Sequence, residues 1–299
     1  MTPTLSKHHQ AAPSVRTLLL TAVAMTFFAA NSLLARFALR AGKIDAGSFT
    51  AVRIGAGAAA LLLLATFRRD GIRDVGRHGS VRAAFALFAY ALAFSFAYLS
   101  LSAGTGALVM FAAVQLTMLG MGIAAGERLR SLEWTGLAVA FAGLIYLVLP
   151  GLTAPSPIGV ALMTFSGAAW GYYSRAAKGV RSPIAATVGN FTRAAPLAAA
   201  ALLVVWALGQ PHANWSGIAL AATSGAVTSG LGYALWYVVM VDLPPSLAPI
   251  VQLTVPLIAA AAGVLLLGEH LTLRLIAASA AILGGVALAL PPRAGVGKR

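Results

Sequence analysis

The chain has 299 residues, of which 60% are hydrophobic and only 9% are charged. Soluble domains carry about a quarter charged residues, so this composition excludes a water-soluble globule. The net charge of +14 does not indicate a nucleic-acid-binding protein, because the basic residues stand in short clusters between long apolar runs, as loop charges of membrane proteins do. The absence of cysteine excludes a disulfide framework and thiolate metal sites.

The first apolar run follows Lys7 and Arg16 and is predicted to be an uncleaved helix, since many more apolar runs follow it. A helix needs about 20 mainly apolar residues to cross a bilayer. Residues 83–126, 134–174 and 194–241 lack Asp, Glu, Lys and Arg and carry Gly or Pro clusters near their middles, so each predicts a helical hairpin. The predicted spans are 17–39, 46–67, 82–101, 105–125, 131–149, 157–176, 183–207, 215–240, 246–267 and 271–290.

The distribution of Lys and Arg predicts the orientation of these spans. With the N-terminus in the cytoplasm, fifteen basic residues fall in cytoplasmic segments. Only Arg36, Arg40, Lys43 and Arg274 fall in or near the outer loops. Because cytoplasmic loops carry the excess of Lys and Arg, the sequence predicts ten spans with both termini in the cytoplasm.

The two halves of the chain repeat each other. Residues 126–129 (Gly-Glu-Arg-Leu) recur as residues 268–271 (Gly-Glu-His-Leu), and Gly143 recurs as Gly285 at the same offset. Five spans per half is an odd number, so the second copy must enter the membrane upside down. Inverted repeats of this kind are a building plan of secondary transporters, with the substrate bound where the halves meet.

We therefore predict an all-α membrane protein of ten transmembrane helices, built as two inverted five-helix repeats. Residues 1–299 form a single transmembrane domain, in which 17–149 are the first repeat and 157–290 the second.

Several sequence markers, taken in their order along the chain, resemble those of the drug/metabolite transporter superfamily, in its ten-span EamA-type branch. They are the two Gly-Glu-x-Leu elements, Arg53, Arg193, Trp170-Gly171 and Pro256. The resemblance covers essentially the whole chain, and within the branch it is most similar to the bacterial aromatic amino acid exporters of the YddG type. It departs from the family in span one, where Asn31-Ser32 stands in place of the usual Trp-Gly.

The acidic residues all fall in loops or at helix ends; they are Asp45, Asp70, Asp74, Glu127, Glu133, Asp242 and Glu269. Proton-coupled pumps usually carry an acid inside the membrane, so we expect a facilitator or a weakly coupled exporter. The same distribution argues against an enzyme, because neither clustered Asp for Mg²⁺ nor a His-Glu-x-x-His element is present. No cofactor is expected.

Five charged residues near helix ends or inside spans are interpreted as structural. Glu127 and Glu269 each precede a helix, where a carboxylate can cap free backbone N–H groups. Arg53 and Arg193 lie inside their spans and need carbonyl partners or a route to the interface. Arg36 is also expected to be an anchor, with recruitment of a substrate carboxylate as the alternative.

Aromatic and amide side chains at mid-depth predict the substrate cavity. Tyr90, Phe94 and Tyr98 share one helical face, and a buried amide needs a polar partner; lipid-facing filler or an interfacial belt is the alternative for the aromatic residues. The candidate substrate-binding residues are Asn31, Tyr90, Phe94, Tyr98, Gln115, Trp170, Tyr173, Tyr233, Trp236 and Gln252. Pro256 is the candidate hinge, because it frees the carbonyl group of Gln252.

These features predict a multi-pass carrier in the bacterial inner membrane. It would export aromatic and other neutral amino acids, or similar small metabolites, by alternating access of a cavity walled by spans one, three, four, six, eight and nine. Its partners would be the small-molecule substrate and the lipid bilayer, without nucleic acid, and it would be a monomer. The alternatives are another substrate, such as a nucleoside, a sugar or a polyamine derivative, and a non-transporting membrane scaffold.

Overall fold

The structure, a computed structural model, describes residues 14–67, 78–126, 130–151, 154–176, 182–209, 211–243 and 247–289. In these ranges the chain is helical, with one isolated β-bridge between Ile44 and Ala213 that joins two loops. Lys7, Glu127 and most of the basic cytoplasmic clusters lie outside the described residues, so the predicted orientation stays a prediction.

The first half of the chain forms helices α1 (Val15–Arg40), α2 (Ala46–Thr66), α3 (Val81–Ala97), α4 (Ala103–Ala124) and α5 (Ser131–Val148). The first four of these begin at a residue whose side-chain oxygen accepts a hydrogen bond from the backbone N–H three positions on. These caps are Ser14, Asp45, Ser80 and Ser102. Such caps satisfy backbone N–H donors that a helix cannot pair internally. The positions of these capping residues therefore determine where the four helices begin.

The second half forms helices α6 (Pro157–Ala176), α7 (Pro183–Leu208), α8 (Trp215–Thr223), α9 (Gly232–Asp242), α10 (Leu247–Gln252), α11 (Thr254–Leu267) and α12 (Leu273–Ala289). Residues Ser224–Leu231 are π-helical and join α8 to α9 without a break. We call them the π segment. It replaces the regular helix predicted over 215–240.

Two further predicted spans differ from the structure at particular residues. The span predicted over 82–101 ends as α3 at Ala97, because a turn follows and Ser102 then caps α4. The span predicted over 246–267 is interrupted at Leu253, between α10 and α11. Pro256 is the third residue of α11, where its missing N–H breaks no hydrogen bond within that helix. The helix is therefore interrupted close to Pro256, the residue named above as the candidate hinge.

Seven helical stretches among the described residues are long and apolar enough to cross a membrane: Val15–Arg40, Ala46–Thr66, Ala103–Ala124, Ser131–Val148, Ile184–Leu208, Trp215–Met240 and Ile250–Leu267. Two shorter helices, α3 and α12, are also apolar. Helix α6 has 20 residues but is less apolar, because Gly, Ser, Tyr and Trp replace aliphatic residues along it.

Helices α5 and α12, which correspond in the two repeats, pack closely against each other in opposite directions. Gly136 of α5 lies against the backbone of Ala289 in α12, and Gly143 lies against Ile282. Residue numbers therefore rise along α5 as they fall along α12, so the two helices are antiparallel. Glycine is needed at the crossing, since a methyl group at Gly285 would lie 2.6 Å from the carbonyl oxygen of Gly136.

Two further pairs of corresponding helices are also antiparallel. In α2, Gly47 lies against Val205 and Gly57 lies against Phe191 of α7. In the pair α4 and α11, Gly104 lies against Ala260, while Ala103, one residue earlier, lies against Gly263. In each pair the contacts advance in opposite directions along the two helices.

Replacing Gly285 with Ala should lower the melting temperature of the purified protein by about 3 °C or more, because the added methyl group overpacks the α5–α12 contact. The adjacent Gly284 is the matched control, since a methyl group there meets no atom within 4 Å. Gly284→Ala should leave the melting temperature unchanged or raise it slightly. Equal melting temperatures for the two variants, measured in detergent by fluorescence-detected unfolding, would contradict the packing described for these helices.

Candidate functional site

A narrow cavity lies at the centre of the helix bundle, between α1, α3, α4, α6 and α9. Its volume is about 20 Å³, which is room for about one water molecule and far too little for a metabolite. It is lined by Phe28, Asn31, Ser32, Tyr90, Phe94, Met110, Phe111, Trp170 and Tyr233. The structure therefore describes a closed form of this site.

Aromatic rings form most of the cavity wall. Trp170 of α6 packs between Tyr90 of α3, with ring centroids 4.9 Å apart, and Tyr233 of α9, at 4.7 Å. Phe28 of α1 meets Tyr233 edge to face at 5.9 Å, and Phe94 lies 5.6 Å from Tyr90. The rings come from both halves of the chain and interlock at the point where the halves meet.

The hydroxyl group of Tyr90 is the centre of the polar contacts in this wall. It accepts a hydrogen bond of 2.6 Å from Nη2 of Arg53 and one of 3.4 Å from Nδ2 of Asn31. It also lies 3.4 Å from the hydroxyl group of Tyr233. Tyr90 of α3 thus joins α1, α2 and α9 through a single oxygen atom.

Asn31 is held in place by the π segment. Its Oδ1 accepts hydrogen bonds from Ser224 at 2.5 Å and from Thr228 at 3.2 Å. A π turn contains an extra residue and is common at functional sites. The π segment also approaches the backbone of Arg53 closely, because Gly225 lies directly against the Arg53 carbonyl group. This contact brings Ser229 within 3.3 Å of Nε of Arg53.

Arg53 is a buried cation whose described partners are all uncharged. The residue is 2% exposed, and its guanidinium packs on the rings of Tyr90 and Phe94, with its carbon 5.0 Å and 4.6 Å from their centroids. Within the described residues, its Nη1 has no hydrogen-bond partner. Among the described residues, an ion pair is formed by Arg36 with Glu269, and Arg53 takes part in none.

Arg36 and Glu269 form an ion pair at one end of the bundle. Nε of Arg36 lies 3.1 Å from Oε1 of Glu269, and its Nη1 donates to the carbonyl groups of Tyr98 and Leu99 at the end of α3. Oε2 of Glu269 accepts a hydrogen bond from the backbone N–H of Ala103 at 2.9 Å. Glu269 therefore caps α4 and not α12, the helix that follows it in sequence, so that part of the prediction is wrong.

The opposite end of α3 is held by α7. Nη1 of Arg193 donates to the carbonyl group of His78 at 2.7 Å, and Oδ1 of Asn190 accepts from the backbone N–H of Ser80 at 2.9 Å. Helix α3 is thus tied at both ends by an arginine of a neighbouring helix, Arg36 at one end and Arg193 at the other.

Five of the ten predicted substrate-binding residues line the central cavity: Asn31, Tyr90, Phe94, Trp170 and Tyr233. The other five do not line it. Tyr98 packs on Phe94, Tyr173 on Trp170 and Trp236 on Phe28, so these three lie one layer behind the wall.

The remaining two predicted residues are the amides Gln115 and Gln252. Gln115 is buried in α4, and its Nε2 has no hydrogen-bond partner within the described part of the chain. Gln252 is partly exposed and is the last residue of α10, next to the break at Leu253. Whether any of the ten binds substrate stays a prediction.

Sequence reasoning missed several residues of the site. Arg53 was interpreted only as an anchor, although its place seven residues inside an apolar helix already indicated a buried cation. Ser224 and Thr228 stand four residues apart, a spacing that places both on one face. Ser32 also lines the wall, and its only signal was the departure from the usual Trp-Gly in span one. The other missed residues line the wall and carry no distinguishing signal in the sequence: Phe28, Met110 and Phe111. Among the described side chains, no group of three His, Asp or Glu forms a metal site.

Comparisons with known proteins agree with this architecture. The model of the EamA-like transporter family matches residues 15–149 and again residues 157–290. The chain is 49% identical over 283 residues to Uncharacterized protein PA1977 of Pseudomonas aeruginosa, covering 95% of this chain and 97% of that protein. A solved crystal structure superposes with a TM-score of 0.65 at 20% identity, covering 92% of this chain and 97% of the other. At that identity it shows a shared fold.

Two copies of the family sequence account for nearly all of the apolar helices described above. The members of this family are multi-pass membrane transporters of small molecules and not enzymes. With both halves matched and a half-identical relative along its whole length, the chain belongs to the EamA-like transporter family.

Proposed function

We propose that this protein exports aromatic and other neutral amino acids, or similar small metabolites, across the bacterial inner membrane by alternating access. The observation that carries the proposal is the central cavity. It combines an aromatic wall with a polar cluster around the hydroxyl group of Tyr90, and no described carboxylate lines it. Aromatic rings suit an apolar side chain, while the polar cluster can fix the orientation of the backbone part of an amino acid.

The proposed topology is ten spans in two inverted repeats, 17–149 and 157–290, with both termini in the cytoplasm. The antiparallel packing of α2 with α7, α4 with α11 and α5 with α12 supports it. Two copies of one fold that place corresponding helices antiparallel are related by an axis perpendicular to those helices. In a membrane such an axis lies in the bilayer plane, which is the arrangement of inverted repeats in transporters.

In this topology Arg36 and Glu269 lie at the outer end of the bundle, and Arg193 lies at the cytoplasmic end. The contacts of Arg36 and Arg193 then hold the helices together at both ends of the proposed path. The Arg36–Glu269 pair joins the first half of the chain to the second, so outward opening must separate it. We call this pair the outer latch.

We further propose that transport is facilitative. A proton-coupled carrier needs a titratable group on the substrate path, and the described cavity wall contains no acidic residue and no histidine. The carrier then equilibrates its substrate across the membrane and exports whatever accumulates in the cytoplasm.

In liposomes containing the purified full-length chain, we expect counterflow of labelled Phe, Trp, Tyr, Thr or Met without a proton gradient, since the cavity wall contains no acid to titrate. Protein-free liposomes are the control. Transport of a nucleoside or a sugar, with none of these amino acids moving, would contradict the amino acid assignment. Strict dependence on an imposed gradient would instead contradict the facilitative mechanism.

Replacing Trp170 with Ala should lower tryptophan transport about tenfold, because it removes the ring that packs between Tyr90 and Tyr233. Trp206→Ala is the matched control, since Trp206 is 66% exposed on α7 and faces away from the cavity. Both variants must insert correctly and elute as single species before transport is compared. Unchanged transport by a correctly inserted Trp170→Ala protein would rule out the aromatic wall as the binding surface.

Breaking the outer latch should favour outward opening. In a Ser32→Cys background, which places the single thiol of the chain in the cavity wall, Glu269→Gln should speed labelling by an impermeant maleimide several-fold from outside intact cells. The substitution leaves the cation of Arg36 buried without its counter-charge. Arg274→Gln is the control, since Arg274 contacts the carbonyl groups of Leu149 and Pro150 instead. Equal labelling rates for both variants would contradict the latch.

A further inference from the structure

A positive charge that no described carboxylate neutralises lies directly behind the wall of the central cavity. Arg53 is 2% exposed, and its guanidinium lies against Tyr90 and Phe94, which both line the cavity. A buried charge is costly unless it is paired. Its Nη1 is buried and has no hydrogen-bond partner in the described ranges, so the charge of the cation is only partly compensated.

The carboxylates whose side chains are described are all engaged elsewhere. Asp45 caps α2 and also accepts from the backbone N–H of His212. Glu133 accepts from the backbone N–H of Arg130 at the start of α5. Glu269 is paired with Arg36. None of the three lines the cavity, so among the described residues Arg53 has no counter-ion.

The hydroxyl group of Tyr90 connects the cation of Arg53 to the cavity wall. The hydroxyl oxygen accepts a short hydrogen bond from Arg53 and longer ones, of 3.4 Å, from Asn31 and Tyr233. Because all three neighbours donate to this oxygen, its own proton is free to be donated into the cavity. A hydroxyl group that accepts from a cation becomes a stronger donor, because linked hydrogen bonds polarise each other. The wall therefore presents a strengthened O–H donor to a ligand.

The same wall offers an ammonium group aromatic ring faces but no charged partner among the described residues. The amide oxygen of Asn31 already accepts from Ser224 and Thr228, and the described lining contains no anionic acceptor. A ligand ammonium group would also stand close to the like charge of Arg53, which repels it. The electrostatics of the cavity thus favour a carboxylate and disfavour an amine.

Building on the proposed function, we propose that the cavity anchors its substrate by the carboxylate, through Tyr90 and the charge of Arg53, and does not recognise the amino group. Apolar and aromatic monocarboxylates that lack the amino group are then substrates at least as good as the amino acids themselves. The aromatic wall around Trp170 holds the side chain in both cases.

Four ligands with the same phenyl ring separate the contributions of the two head groups. Phenylalanine carries both groups, 3-phenylpropionate only the carboxylate, and phenethylamine only the ammonium group; 3-phenylpropanamide is an uncharged analogue of the acid. Binding is measured on the detergent-solubilised full-length protein by calorimetry and thermal shift, where passive leakage of ligands through a bilayer plays no part. Competition with phenylalanine counterflow in liposomes gives a second readout.

We expect 3-phenylpropionate to bind at least as tightly as phenylalanine. Phenethylamine and 3-phenylpropanamide should bind about tenfold more weakly or worse, because each lacks the charged acceptor. Arg53→Met should lower the affinity for both carboxylates about tenfold and leave phenethylamine unchanged or improved. Tyr90→Phe keeps the charge and removes the hydroxyl group, so it should weaken carboxylate binding without abolishing it.

Arg193→Met is the matched control, since Arg193 stands at the corresponding place of the second repeat and contacts the carbonyl group of His78 at the end of α3. It should leave the order of the four ligands unchanged. If Arg53→Met does not yield folded protein, Tyr90→Phe and the ligand series on the native chain decide the question.

The proposal is overturned if phenethylamine binds as tightly as 3-phenylpropionate, or if folded Arg53→Met keeps the native preference for carboxylates. The result is separable from the export function. Phenylalanine transport that 3-phenylpropionate does not inhibit would refute the carboxylate anchor and leave amino acid export standing. Binding of 3-phenylpropionate that depends on Arg53, without any amino acid being bound or moved, would support the anchor and refute amino acid export.

Discussion

A cation buried among apolar helices needs partners from the protein itself, and the centre of this structure is arranged around that requirement of Arg53. The guanidinium contacts Tyr90, Ser229 and two aromatic rings. These contacts fix the distance between α2, α3 and the π segment, and they hold the hydroxyl group of Tyr90 where α1 and α9 also reach it. The aromatic cavity wall forms around this group, so the position of the cavity follows from where the charge can be accommodated.

Small residues set the second constraint. Without water between the helices, close association in lipid depends on van der Waals contact and short approach distances. Gly136 and Gly285 allow α5 and α12 to touch along their backbones, and Gly104 and Gly263 do the same for α4 and α11. Because these pairs join corresponding helices of the two halves, each half completes the packing of the other. The cavity lies on this boundary, and a relative motion of the halves must change its shape.

The sequence predicted the helices well, because the need to cross hydrocarbon fixes both their length and their composition. It also singled out Pro256, close to which the helix is interrupted, and five residues that line the cavity, whose roles as hinge and binding residues stay predictions. It did not predict that Glu269 caps α4, that Ser224 and Thr228 hold Asn31, or that Arg53 bonds to Tyr90. These contacts join residues far apart in the chain. They depend on how far one helix is shifted and rotated against the next, which the spacing of residues within a helix does not determine.

The interruption at Leu253 has a consequence for the kinetics of the transport cycle proposed above. Helix α4 is continuous, whereas the corresponding element of the second half is divided into α10 and α11. The two halves are therefore not mechanically equivalent. For facilitative transport such a difference would not favour one direction of net flow, because the concentrations alone determine the equilibrium. It would act only on the dwell times at the two faces of the membrane.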